Sequence, residues 1–209
     1  MKTLAKILSV GAIVSGSLVT SSLASADVSY NVGFVSEYYY RGIYQKNASA
    51  SAGIDFEESG FYVGAWTADV GDGLEVDGYA GYGGEIGDFS YGVGFTGYYY
   101  TGDFDETYEE VNLSAGYGPV SIGYSIGEWD GDGGTDYDFL EVSIDLGAGF
   151  YGLYGSFGDE FDGDYFELGY GTTVSEIDLG VALIFPSDEL EGTDNAAGEG
   201  ITLSIGKSF

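Results

Sequence analysis

The chain has no cysteine and no histidine. The first absence excludes disulfides and thiolate metal centres. The second excludes histidine metal ligation and the histidine base of a catalytic triad. Proline is scarce, at two residues in 209, and positive charge is scarcer than any globular norm: five basic residues stand against 35 acidic ones, for a net charge of −30. A chain this acidic repels nucleic acid and anionic lipid surfaces. Long apolar runs are missing too. The longest, Ile7 to Val19, covers about 13 residues, whereas a transmembrane helix takes about 20.

What the chain does have is glycine, tyrosine and phenylalanine: 38, 20 and 13 residues. That aromatic content is foreign to an acidic disordered chain. Glycine and aspartate recur between apolar runs, the punctuation of strands joined by turns. The first 26 residues read as a signal peptide: Lys2 and Lys6 give a basic start, the apolar run follows, and Ala24-Ser25-Ala26 fits a cleavage site. The expected domains are therefore a signal peptide over 1–26 and one β-domain over 27–209. No cysteine follows the apolar run, so the leader is not of the lipoprotein kind.

From Asp27 onward the apolar period is two. In Phe89-Ser-Tyr91-Gly-Val93-Gly-Phe95-Thr96, every odd residue is large and apolar and every even one is small or polar. Strand side chains alternate faces, so such a segment has one apolar and one small polar face. The same reading places Val28, Tyr30, Val32 and Phe34 together, and likewise Ile201, Leu203, Ile205 and Phe209. Tyr151, Leu153 and Phe157 form a weaker set. Residues 61–70 are apolar on both faces, and their parity stays open. The count is 12 strands, or 10 if the weak region 150–166 does not form two. Strands of roughly 9–13 residues exceed the usual globular length and suit a tilted bilayer crossing.

The connections alternate. One set is very short: 58–60, 87–88, 118–119, 147–149 and 175–176. The other is mostly longer and acidic: 41–47, 70–73, 102–106, 130–136, 158–164 and 187–198. Outer-membrane barrels have short periplasmic turns and longer external loops. The expected fold is an all-β antiparallel transmembrane barrel with both termini periplasmic. A secreted soluble β-sandwich is the alternative, but it has no reason to alternate its loops. The final Phe209, on an alternating strand, resembles the C-terminal signal read by barrel assembly machinery, although Lys207 departs from the pattern.

In such a barrel the apolar face meets lipid and the opposite face lines the lumen. Parity puts Glu37, Tyr39, Arg41, Asp55, Glu57, Glu75, Asp77, Glu85, Glu110, Glu141, Asp145, Glu167 and Asp178 inside. Burying unpaired carboxylates in a dry core costs several kcal/mol. Many acids with almost no cations therefore predict a water-filled, negatively charged lumen, which favours cations. Tyr38, Tyr40 and Tyr99 read as interface aromatics, in keeping with tyrosine's apolar ring and polar tip. Arg41, the only arginine, is expected to clamp a lumen carboxylate or stack on Tyr39, as a structural clamp with a selectivity element as the alternative. Asp130, Asp132 and Asp136 have calcium-loop composition but lack the order of a calcium loop, so no metal site is assigned. Nothing in the sequence calls for a cofactor or an enzyme activity.

Residues 31–82 resemble the TorF family of bacterial porin-like proteins. The matching positions are Asn31, Ser36, Glu37, Tyr38, Arg41, Gly42 and Gln45, then Gly53, Asp55, Ser59, Gly60, Tyr62, Gly64 and Trp66. Glu75, Asp77, Tyr79, Gly81 and Tyr82 complete them. Glu37 stands where that family often has Asp, and a proline common after the glutamine is absent. The resemblance implies an outer-membrane barrel of porin type in a Gram-negative bacterium and no particular solute. The expected function is passive diffusion of small hydrophilic solutes, with cations favoured. A non-conducting structural or surface-display barrel is the alternative. Expected partners are outer-membrane lipid, lipopolysaccharide, the assembly machinery and the permeating solutes.

Overall fold

The computed structural model describes residues 27–190 and 198–209. The expected signal peptide lies outside the described residues. Twelve strands run in order: β1 (Asp27–Tyr40), β2 (Ile43–Glu58), β3 (Phe61–Gly71), β4 (Gly73–Ile86), β5 (Phe89–Tyr100) and β6 (Tyr108–Tyr117). Then come β7 (Val120–Trp129), β8 (Thr135–Gly147), β9 (Phe150–Asp159), β10 (Asp164–Val174), β11 (Ile177–Pro186) and β12 (Gly200–Ser208). Each pairs antiparallel with its sequence neighbours, and β12 returns to β1, so the sheet is a closed barrel. Closure removes the exposed strand edges that an open sheet would leave. Residues 150–166 do form two strands, which settles the count at 12 rather than 10.

Alternation sets the two surfaces. Val28, Tyr30, Val32 and Phe34 of β1 are exposed, as are Phe89, Tyr91, Val93 and Phe95 of β5 and Ile201, Leu203 and Ile205 of β12. Large apolar side chains therefore face outward all round the barrel, the surface a bilayer would cover. Strand β3 resolves its own ambiguity: Phe61 and Val63 point out, while Trp66, Ala68 and Val70 are buried inside. Strand β9 corrects the expected facing. Tyr151, Leu153 and Phe157 are buried in the interior, not presented outward. Inside, Leu153 and Phe157 share a cluster with Phe139, Tyr165 and Ile184.

All five connections at one end are two-residue turns, at 59–60, 87–88, 118–119, 148–149 and 175–176. We call this the turn end, and Asp27 and Ser208 lie there too. At the opposite, loop end, two expected loops collapse. Residues 41–47 contain only a tight turn at Arg41-Gly42, whose φ values of 49° and 82° suit the mirror-image turn that hairpins prefer. The segment 70–73 contributes a single linking residue, Asp72.

The β1–β2 hairpin does not stay in the wall. Pairing of β1 with β12 stops at Val35↔Ser204, and pairing of β2 with β3 stops at Ser51↔Ala68. Beyond those points β1 and β2 pair only with each other. A register shift at Tyr38/Tyr39 and a positive φ at Ala48 bend the arms. Side chains cap the wall strands left without a partner. Ser36 Oγ accepts from the Leu203 amide at 2.9 Å, Thr202 Oγ1 donates to the Glu37 carbonyl at 2.9 Å, and Ser49 Oγ donates to the Asp69 carbonyl at 2.7 Å. The tip folds across the lumen to reach β6, β7, β8 and β10 on the far side.

The facing makes a direct prediction. Val93→Arg, outward near the middle of β5, should destabilise the barrel in lipid by about 2–4 kcal/mol. Urea unfolding in vesicles measures it, and a barrel that is not lipid-facing there would show little change.

Candidate functional site

A carboxylate buried away from water needs several donors. In this interior they are mostly tyrosine hydroxyls. Glu110, on β6, is the centre. Its Oε1 accepts from Arg41 at 2.8 Å, Tyr98 at 2.8 Å and Asn112 at 2.7 Å. Its Oε2 accepts from Arg41 at 2.9 Å and Tyr137 at 2.9 Å. The Arg41 fork is bidentate, the geometry for which arginine is suited. The same guanidinium donates to Ser125 Oγ at 3.2 Å and lies 4.2 Å from the Phe139 ring centre and 5.1 Å from that of Tyr40. Thus the one arginine clamps Glu110, from the tip of a hairpin whose wall position is on the other side of the barrel.

Around this pair the loop-end half of the lumen is filled. Tyr38 donates to both oxygens of Glu75 at 3.2 and 3.0 Å and packs on Trp66. Tyr40 meets Tyr98 edge-on with ring centres 5.5 Å apart. Gly42 abuts Tyr165 so closely that a Cβ would fall 2.7 Å from its ring, so only glycine, already favoured by the positive φ, fits there. Tyr151 donates to Glu167 of β10. At the loop face a cavity of about 420 Å³ is lined by Ile43 at the hairpin tip, Phe157, Phe161, Leu190 and the acidic Glu160, Asp162 and Glu189.

The structure redistributes several expected residues. Tyr38 and Tyr40 are not at a lipid interface: Tyr38 is buried, and both pack inside, Tyr38 on Trp66 of β3 and Tyr40 on Tyr98 of β5, because the hairpin has left the sheet whose parity was being read. Tyr99 does face outward, with its hydroxyl 3.4 Å from Glu109. Tyr39 packs on Tyr44 and Gly200 and does not stack on Arg41; Phe139 and Tyr40 take that place. The expectation that acids without cations must leave the lumen wet fails at the loop end, where Glu75, Asp77, Glu110 and Glu167 are all buried. The missed signal was tyrosine itself, at matching heights on the interior face of neighbouring strands.

The turn-end half is different. There Asn31 and Tyr79 both donate to Asp55, Tyr62 lies across Gly81 and Gly94, and many of the other inward positions are small, including Gly33, Gly53, Gly92, Ser114 and Gly123. Glu37, Glu57, Glu141 and Asp178 are partly buried, while Glu85 and Asp145 are exposed near the turn-end rim. Asp145 accepts from the Gly147 amide at 2.7 Å and Asp178 from Thr173 at 2.6 Å, so both brace turns. Asp130, Asp132 and Asp136 lie in or beside the β7–β8 loop, and among the described residues no three acidic side chains converge as a metal site. Phe209 closes the seam: its amide donates to the Tyr30 carbonyl at 2.9 Å, and its carbonyl accepts from the Tyr30 amide at 3.2 Å.

Removing one partner of a buried ion pair typically costs about 3–5 kcal/mol. Arg41→Gln should therefore lower the midpoint of heat-modifiable gel migration markedly. Adding Glu110→Gln to it should recover part of the loss, because the buried charge is then gone.

Among solved structures, OccK2 (OpdF) of Pseudomonas aeruginosa, crystallised with glucuronate, is 15% identical with a TM-score of 0.41, over 78% of this chain and 58% of that one. OpdK of the same organism, crystallised with vanillate, is 15% identical with a TM-score of 0.41, over 79% and 57%. This chain thus spans less than two thirds of the length of either. No curated protein matches it. Residues 20–158 match the profile described as bacterial protein of unknown function (Gcw_chp). That match runs from before β1 through the hairpin, the β4 carboxylates and Glu110 to β9, and the chain belongs to the Gcw_chp family.

Proposed function

We propose that this barrel is an outer-membrane porin for small hydrophilic solutes, with cations favoured, and that the described arrangement is its closed form. One observation carries the reading: a closed 12-stranded barrel, apolar on the outside all round, has a polar interior obstructed by a hairpin of its own wall. A structural barrel has no need of an interior lined with glycine and serine over half its height. The turn end would face the periplasm and the acidic loop end the outside, where it would meet lipopolysaccharide. Phe209 would serve the assembly machinery. The resemblance to TorF-type porins agrees with this, and so does the charge of the turn-end lumen, where acids outnumber any cation that could balance them.

Solute passage in this reading requires the hairpin tip to leave its seat. Arg41 and Tyr38 hold it from within the lumen, and both end on carboxylates of the opposite or adjoining wall, while Lys46 ties its second arm to Asp69 of β3. A second reading is a barrel that conducts nothing and only supports the envelope. The packing of the loop-end half favours it. No catalytic constellation enters either reading.

Planar bilayers separate the two. Wild-type protein should give small, infrequent openings, and the reversal potential in a KCl gradient should shift toward the potassium value. The Arg41→Gln, Glu110→Gln double variant should open more often and conduct several-fold more. Silence from both proteins would establish the structural barrel, and anion selectivity would overturn the cation preference.

A further inference from the structure

The cavity at the loop face has a lining unlike the rest of the interior. Around its volume of about 420 Å³ stand four apolar side chains, Ile43, Phe157, Phe161 and Leu190, and three acidic ones, Glu160, Asp162 and Glu189. Small-molecule sites span about 300–1,000 Å³ and pair apolar walls with a few polar groups. The walls are held in place. Phe161 stacks on Tyr137 with ring centres 5.1 Å apart, and meets Phe157 and Trp129 edge-on at 5.9 and 6.3 Å. Leu190 lies over Gly163, where a Cβ would fall 2.6 Å from its Cδ2. Backbone bonds tie the two contributing loops together: the Phe157 amide donates to the Gly163 carbonyl at 2.9 Å, Ser187 to Asp164 at 2.8 Å and Leu190 to Ser187 at 3.0 Å.

The three carboxylates are exposed, and no cation of the chain answers them. Among the described residues Arg41 is spent on Glu110, Lys46 on Asp69 and Lys207 on Glu176 at the turn end. Charge and lining together narrow the ligand. A bare metal ion gains nothing from the apolar walls. A neutral apolar molecule leaves the charge unused, and an anion is repelled. A positive centre carried on an apolar or aromatic body uses everything present. The charge sits among the carboxylates, the body lies against Ile43 and Leu190, and the phenylalanine rings offer the faces that attract organic cations.

We propose that this cavity binds organic ammonium compounds that carry an apolar or aromatic body. Ile43 directly follows the Arg41-Gly42 turn, so a bound molecule touches the tip of the plug. The site's role rests on the porin reading: it captures such solutes at the outer mouth, and the favoured cations are organic amines. Binding itself does not require conduction.

Saturation-transfer NMR on the folded protein in zwitterionic lipid nanodiscs, at low salt, tests it with three probes of one size. Benzyltrimethylammonium should bind saturably in the millimolar range, about tenfold more tightly than benzyl alcohol, and phenylacetate should not bind. The combined Glu160→Gln, Asp162→Asn and Glu189→Gln variant, confined to exposed side chains, should lose that advantage. Removing as many charges elsewhere at the loop end, with Asp103→Asn, Asp130→Asn and Asp132→Asn, should leave it intact. Phe161→Leu, which keeps the wall apolar and removes the ring, should weaken the ammonium several-fold. No saturable binding of the ammonium would overturn the site. So would equal affinity for benzyl alcohol, or equal losses in the two charge variants, which would leave only the general field of an acidic surface. Currents in planar bilayers without ammonium binding would sink this site and spare the porin; binding by a protein that never conducts would do the reverse.

Discussion

Everything distinctive in this interior depends on how a buried carboxylate finds donors in a protein with almost no cations. Glu110 solves the problem with two tyrosine hydroxyls, an asparagine amide and one guanidinium. Tyr38 does the same for Glu75, Tyr151 for Glu167 and Tyr79 for Asp55. A hydroxyl donor carries no charge, so this device satisfies an oxygen without neutralising it. The tyrosine content is thus more than strand propensity, since the rings fill space and their tips serve the acids. Arg41 is then needed once, where the hairpin crosses to the far wall.

Much of the fold was legible in the sequence, and the limits of that reading are physical. The period of two, the alternation of short and long connections and the outward residues of β1, β5 and β12 follow from local geometry, which every strand obeys alone. Strand β9 did not follow, because residues 150–159 carry aromatic side chains where the other strands carry glycine or serine, and its apolar face was read as the lipid face. The hairpin was hidden for a different reason. Parity assigns faces only while a strand remains in the wall. Nothing local in SEYYYRGIYQ says that pairing with β12 ends at Val35, since that depends on partners far along the chain. The clamp role of Arg41 was accessible from charge scarcity; its partner, 69 residues away, was not.

The two halves of the lumen differ in what they ask of the chain. At the loop end large side chains interlock, and Gly42 is required where the turn presses on Tyr165. At the turn end small residues leave the wall thinly lined, and the acids there sit beside amides, hydroxyls and turns. The barrel therefore combines a rigid, tightly specified collar with a more permissive vestibule, and sequence change should be tolerated very differently in the two.

The hairpin also ties two events of assembly together. Strand β1 supplies one side of the seam with β12, and its far end supplies the plug, whose polar contacts lie 69 and 84 residues further on. Contacts so remote in sequence form late, because a long loop of chain must first be ordered. The tip can seat only once β6, β7 and β8 stand in place, and the seam can zip only once β12 arrives. The strand that closes the seam with β12 is thus also the strand that carries the plug into the lumen.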